Sequence, residues 1–239
     1  MGGPFALDRW LLLFSDFSVF AQGFGITLLV SLFALLLALF SGVIFGLFSM
    51  TAFGLPKAVS RVYVEFFQNT PLVIQIFFLY NALPYTGIKL DLITIGVVGV
   101  GLYHGAYVAE VVRAGILSIP KGQLEAANSQ GFSYIQSMAY IILPQTTVII
   151  LPPLANQAVN LIKNTSVLAL VAGGDLMYRA DSWASNGSLS YGPAYIVTGA
   201  LYFILCFPLT RWARRFEERL KTREHLIVPK EAAEEGAGE

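Results

Sequence analysis

Charge is missing from long stretches of this 239-residue chain. The forty residues between Asp16 and Lys57 contain no Asp, Glu, Lys or Arg, nor do the twenty-three between Glu65 and Lys89. Two further gaps run from Glu125 to Lys163 and from Asp181 to Arg211. A helix needs about 20 mostly apolar residues to cross the ~30 Å hydrocarbon core. Only helices and closed barrels satisfy the backbone inside lipid, and continuous apolar runs favour helices. The expected fold is therefore all-α and membrane-integral, with spans at about 24–50, 61–83, 92–113, 145–168 and 192–212. The chain is 56% hydrophobic and 13% charged, with zero net charge; a soluble domain carries about 25% charged residues. That balance argues against a disordered chain, a nucleic-acid binder or a water-soluble enzyme. Cys206 stands alone, so no internal disulfide forms, and no Cys/His cluster offers a metal site.

Five spans put the termini on opposite sides of the bilayer. With the N-terminus outside, eleven basic residues fall on inner segments against three on outer ones, Arg9, Lys89 and Arg179. The positive-inside rule then places the C-terminus in the cytoplasm. The first apolar run is too long for a secretory signal and follows Asp8 and Asp16 rather than a basic region, so it is expected to remain in the protein. Residues 1–228 read as one transmembrane domain, and the acidic tail 229–239 reads as disordered.

Between the third and fourth spans lies EAANSQGFSYIQSMAYIILPQ, from Glu125 to Gln145, within a segment of about 118–144. The alanines after Glu125 favour helix. Gly131 permits a sharp change of direction. Beyond it, Ile135, Met138, Ile141 and Ile142 recur at helical spacing, and Pro144 marks entry into the next span. The pattern reads as two short helices joined at a glycine. Such a piece can lie in a partner's groove or rest as an amphipathic connector on the lipid headgroups.

The spacing E-A-A, three residues, G, nine residues, I-x-L-P resembles the signature of ABC-importer permeases. Glu125, Ala126, Ala127, Gly131, Ile141, Leu143 and Pro144 each fall on it. The blocks 66–84, 103–127 and 151–171 are similar to those of the polar amino-acid permease family, and the likeness covers roughly residues 20–220. The resemblance implies a type I importer permease of five core helices in a prokaryotic plasma membrane. It implies a second permease (identical or a paralogue), two ATPase subunits and an extracytoplasmic amino-acid-binding protein. It also makes Glu125, Ala126, Ala127 and Gly131 the contacts of a coupling helix with the ATPase. The chain has no G-x-x-x-x-G-K-[ST] of its own, so ATP and magnesium belong to the partner chain. No catalytic, cofactor or metal residue is assigned.

Polar groups inside a membrane are costly and mark a function or a satisfied contact. Asn156, Asn160, Lys163 and Asn164 share one helical face of the fourth span. They read as a pathway wall offering amides and one cation to a zwitterion, or as hydrogen bonds at a dimer seam. Ser166 follows closely. The second span carries Asn69 and Thr70 before Pro71, where a break would free carbonyls towards a cavity. The third offers Tyr103, Tyr107 and Glu110 on one face, Glu110 as a partner for Arg113 or Lys163, with His104 as a packing residue.

Relatives that import basic amino acids or glutamine commonly read Lys-Asp-Thr-Ser where this chain has Lys163-Asn164-Thr165-Ser166. Exchanging a carboxylate for an amide while keeping Lys163 favours an anion. A charge pair at 4 Å is worth about 4 kcal/mol at an effective dielectric of 20, before desolvation. Glutamate, aspartate or glutamine is therefore favoured as substrate. Gln68 stands where relatives commonly have Arg, and Asn69 where many have Gly. The competing function is an ion-gradient-driven secondary transporter or channel without an ATPase, a class that often carries inverted repeats and intramembrane carboxylates.

Overall fold

The computed structural model describes residues 3, 5–51, 54–188 and 190–227. Among them every regular element is helical: α1 (Leu7–Ser15), α2 (Phe17–Ser49), α3 (Gly54–Asn69), α4 (Leu72–Phe77), α5 (Leu92–Leu117), α6 (Lys121–Ser129), α7 (Tyr134–Ser137), α8 (Leu143–Asn164), α9 (Leu176–Trp183) and α10 (Tyr191–Ile227). Wider or tighter turns extend several of these. Phe78–Ala82 and Leu83–Thr86 continue α4, Met138–Ile142 joins α7 to α8, and Thr165–Val171 prolongs α8. Four of the resulting rods are long and apolar enough to cross a membrane: α2, α5, the α7–α8 rod and α10. The α3–α4 pair passes the same test only across a bend of 101°.

Several boundaries move from where charge alone put them. The helix that holds the expected first span, about 24–50, begins earlier, at Phe17, and Phe20 is buried with Leu13, Leu176 and Ala194 in a second core. The preceding helix α1 is amphipathic and was not foreseen; Asp16 ends it and accepts the Trp183 indole N–H at 2.9 Å. The last helix continues past 212 because Ala, Arg, Glu and Leu, all strong helix formers, follow it. The acidic tail lies outside the described residues. Pro144 stands in the first turn of α8, where proline is tolerated, but the rod itself does not start there. The helix begins at Tyr134 and runs through it, with the widened turn Met138–Ile142 taking up the residue where proline offers no N–H.

The bend at Pro71 is sealed rather than open. Thr70 Oγ1 donates to the Phe66 carbonyl at 2.7 Å, and buried Gln75 donates to the Thr70 hydroxyl at 2.7 Å and to the Thr70 carbonyl at 3.3 Å. The cavity beside it is lined by Phe66, Phe67, Ile74, Phe78, Val98 and other apolar groups. The carbonyls expected to face a cavity are thus satisfied locally.

Close packing of α2 on α5 holds the bundle together. Both carry a small-x-x-x-small pair, Gly42/Gly46 and Gly101/Gly105, the spacing that lets helix backbones approach in lipid. A methyl at Gly42 would lie 2.3 Å from Val108 Cγ1, and one at Gly105 would lie 2.2 Å from Ser41 Oγ. Tyr63 of α3 closes the same seam, donating to the Leu102 carbonyl at 2.7 Å. Around it Val30, Ala34, Val100, Val112, Leu161 and Leu168 form the main core.

α9 is fixed by Asp175, whose Oδ2 accepts the Met177 N–H at 3.0 Å, and by the Leu176 N–H donating to Thr27 Oγ1 at 3.0 Å. Asp175 is fully buried, and its Oδ1 has no hydrogen-bond partner among the described residues. Burial pushes its carboxyl up to about 6.

Candidate functional site

Residues from α5 and α8 line an open cavity of about 400 Å³: Tyr103, His104, Tyr107, Gln157, Asn160, Lys163 and Asn164. On α5, Tyr103 and Tyr107 are one turn apart, and their hydroxyls lie 3.1 Å from each other. On α8, positions 157, 160 and 164 fall on one helical face at spacings of three and four. The two helices face each other here, so their polar stripes meet inside an otherwise apolar bundle.

His104 is the centre of that meeting. It is 2% exposed, and both ring nitrogens reach carboxamides of α8. The Asn164 Nδ2 lies 3.0 Å from Nε2, and the Gln157 Oε1 lies 3.4 Å from Nδ1. With Asn164 donating, Nε2 is the acceptor and the ring hydrogen sits on Nδ1, facing the Gln157 oxygen. This pairing uses one ring nitrogen as acceptor and the other as donor. A charged ring would turn a donor towards the Asn164 amide hydrogens. The burial of His104 fits the expected packing role, and the two carboxamide contacts add to it. The available signal was an imidazole in an apolar run with two carboxamides seven residues apart on another span.

Lys163 is exposed to the cavity and, among the described residues, meets no carboxylate within ion-pair distance. It is the one charged side chain lining this cavity.

Of the residues expected along the pathway, Tyr103, Asn160, Lys163 and Asn164 come together here. Asn156 is exposed but does not line the cavity, and Gln157 takes its place. Ser166 is turned back on its own chain, donating to the Lys163 carbonyl at 2.8 Å. Asn69 donates to the Glu65 carbonyl at 2.7 Å, and Thr70 belongs to the sealed bend; neither lines this cavity. Glu110 pairs with Arg113, whose Nε lies 3.0 and 2.9 Å from its two oxygens, while Nη2 also contacts Oε1. Both belong to a separate cavity of about 520 Å³ with Lys57, Arg61, Glu65 and Gln68. Of its two expected partners Glu110 therefore has Arg113. Glu110 follows Tyr107 at i+3 on α5, so the polar stripe of that helix links the two cavities.

Of the expected pair of short helices joined at a glycine, α6 forms one, while the second, α7, is the first turn of the continuous α7–α8 rod. α6 ends in a left-handed Gly131 (φ +84°), with the Phe132 N–H donating to the Ala127 carbonyl at 3.1 Å and the Gly131 N–H to the Asn128 carbonyl at 3.0 Å. This arrangement satisfies the last carbonyls of a helix and reverses the chain. α7 then opens with a reciprocal cap, Ser133 N–H to Gln136 Oε1 at 2.8 Å and Gln136 N–H to Ser133 Oγ at 3.4 Å. Glu125 and Ala126 are exposed, whereas Ala127 is only 3% exposed. Ala127 therefore faces this chain's own interior and seats the segment, which is a correction to its expected place in an outward contact. Tyr134, Ile135 and Tyr140 are exposed beyond the turn, Ile135 by 78%.

The family described as "Binding-protein-dependent transport system inner membrane component" matches residues 38–222. The chain is 43% identical over 210 residues to the "Probable glutamine ABC transporter permease protein GlnM" of Bacillus subtilis, covering 88% of this chain and 97% of that one. It is 32% identical over 204 residues to the "Arginine transport system permease protein ArtQ" of the same organism, covering 85% and 93%. Among solved structures it superposes on an amino acid ABC transporter crystallised with histidines with a TM-score of 0.82 at 31% identity, covering 88% and 98%. An inward-facing MetNI methionine ABC transporter shares the fold alone, with a TM-score of 0.61 at 17% identity over 90% of this chain and 99% of that one.

Proposed function

This chain belongs to the family of binding-protein-dependent transport system inner membrane components and is a permease of an ABC amino-acid importer; we propose that it passes glutamate, aspartate or glutamine along the α5–α8 cavity. The observation that carries this reading is the lining itself, which among the described residues sets Lys163 beside Asn160 and Asn164 with no carboxylate in ion-pair distance and none in the lining. A cationic substrate would meet a like charge there, whereas a carboxylate meets an ammonium and amide donors. The tyrosine hydroxyls and His104 add groups that both donate and accept. The relative named for glutamine supports the amide member of this class. Family membership sets aside the ion-gradient-driven transporter weighed above.

The segment around Gly131 docks on the ATPase. Exposed Glu125 and Ala126 make the contact, Gly131 sets the angle, and Ala127 holds α6 to the bundle. ATP and magnesium act on two such ATPases. A second permease, identical or paralogous, completes the pathway, and an amino-acid-binding protein delivers substrate outside. The excess of basic residues on the inner segments supports a cytoplasmic C-terminus.

Uptake of radiolabelled amino acids by the reconstituted complex tests the substrate reading. The parent should take up glutamate, aspartate or glutamine in preference to arginine and histidine. Asn164→Asp, which places a carboxylate beside Lys163, should lower acidic-substrate uptake about tenfold or more. Parent preference for arginine or histidine would refute the assignment.

A further inference from the structure

A second cavity of about 580 Å³ lies on another side of α8, against α10. Its α10 wall is built at helical spacing. Phe203, Cys206 and Phe207 come first, then Thr210, then Arg211, Arg214 and Arg215. Val159 and Lys163 of α8 form the facing wall. The groove is thus apolar at one end and strongly basic at the other. Phe203 and Phe207 stack with centroids 4.9 Å apart and planes 24° from parallel, giving a flat apolar surface. The three arginines are exposed, and none meets a carboxylate within ion-pair distance among the described residues. Glu218 is the one acidic residue in the lining.

The distances match one kind of molecule. Phe203 and Arg214 are eleven positions apart on α10, or about 16 Å along a helix axis. That is roughly half the ~30 Å hydrocarbon core. When the arginines sit at headgroup depth, the aromatic wall reaches the bilayer middle. Basic grooves between spans with this layout hold acidic lipid headgroups. An apolar wall continuous with a cationic mouth suits an anionic amphiphile and neither a free anion nor a zwitterionic lipid.

We propose that the α8–α10 groove is a binding site for an anionic phospholipid, with its phosphate held by Arg211, Arg214 and Arg215 and an acyl chain along Phe203 and Phe207. The site is distinct from the α5–α8 cavity and touches it only through Lys163, which lines both. Lipid occupancy therefore adjoins the residue that faces substrate.

The test uses the full chain in the complex with which it purifies, washed in mild detergent and then given phosphatidylglycerol or phosphatidylcholine. Native mass spectrometry counts the lipid retained. The parent should retain phosphatidylglycerol selectively, and R211Q/R214Q/R215Q should lose it by about fivefold per charge removed. The R211K/R214K/R215K variant keeps the charge and should retain most of the binding, which separates charge from folding. Equal retention of phosphatidylcholine overturns the proposal, as does a glutamine variant that binds like the parent. Full displacement of the lipid by inorganic phosphate marks an anion site without an acyl subsite and also overturns it. A glutamine variant that keeps its lipid but shows an altered KM for amino-acid uptake places the arginines on the substrate path instead.

Discussion

At the residue scale, the polar groups inside this bundle divide into those that are satisfied and those left waiting. His104 is satisfied twice by amides of α8, and Glu110 is paired with Arg113. Lys163 meets no carboxylate among the described residues, which is the ground for proposing it as a substrate contact. Asp175 is the contrary case, a carboxylate with one oxygen capping α9 and the other buried unpartnered. Its folded carboxyl titrates near 6 against an ordinary 3.8. The folded chain therefore holds a proton between pH 4 and 6 that the unfolded chain releases, and stability falls as pH rises through that window. Asp175→Asn keeps the cap and removes the charge. Thermal melts of the purified chain should show the variant stabilised at pH 8, by as much as roughly 3 kcal/mol, with no gain at pH 4. A variant no more stable than the parent at pH 8 would show that Asp175 is not held against its charge.

At the element scale, what sequence shows depends on whether one helix or two decide the outcome. The spans were legible because a charge-free run of span length admits little but a membrane helix, and the glycine turn after α6 was legible because Gly131 is where φ must turn positive. The bend at Pro71 was foreseen, but its closure was not: Gln75 folds back on Thr70 across a break that only three dimensions define. The continuity of α7 with α8 was likewise hidden, since a widened turn, Met138–Ile142, carries the chain into a helix that keeps proline in its first turn. Gln157 and Asn164 lie more than fifty residues from His104 in the chain, so no local pattern joins the three. No neighbouring atom lies within 4 Å of a methyl built on Gly131, so Gly131→Ala should cost only the left-handed backbone, about 1–2 kcal/mol, and weaken ATPase stimulation. Glu125→Lys should abolish transport-linked ATP hydrolysis while insertion into the membrane stays normal. Assays of ATP hydrolysis by the reconstituted complex distinguish these cases, and normal stimulation in E125K would remove Glu125 from the contact.

At the scale of the whole molecule, α2 and α5 form one unit. Gly105→Val drives a side chain into Ser41 and Tyr63, and overpacking of this kind costs about 1–3 kcal/mol. Gly25, also on α2, has open space at the same test. Size-exclusion profiles and melting in detergent should therefore show G105V aggregated or destabilised and G25V close to the parent. Transport across a bilayer requires the pathway to open to one side and then the other. Helices interlocked through bare backbone have no second register to slide into, because a shift by one turn would bring side chains where glycines now sit. The α5–α8 boundary mixes two kinds of contact: a methyl on Gly115 of α5 would lie 2.1 Å from Ile150 of α8, whereas at the cavity an imidazole sits between two carboxamides, polar contacts that water or a polar solute can replace.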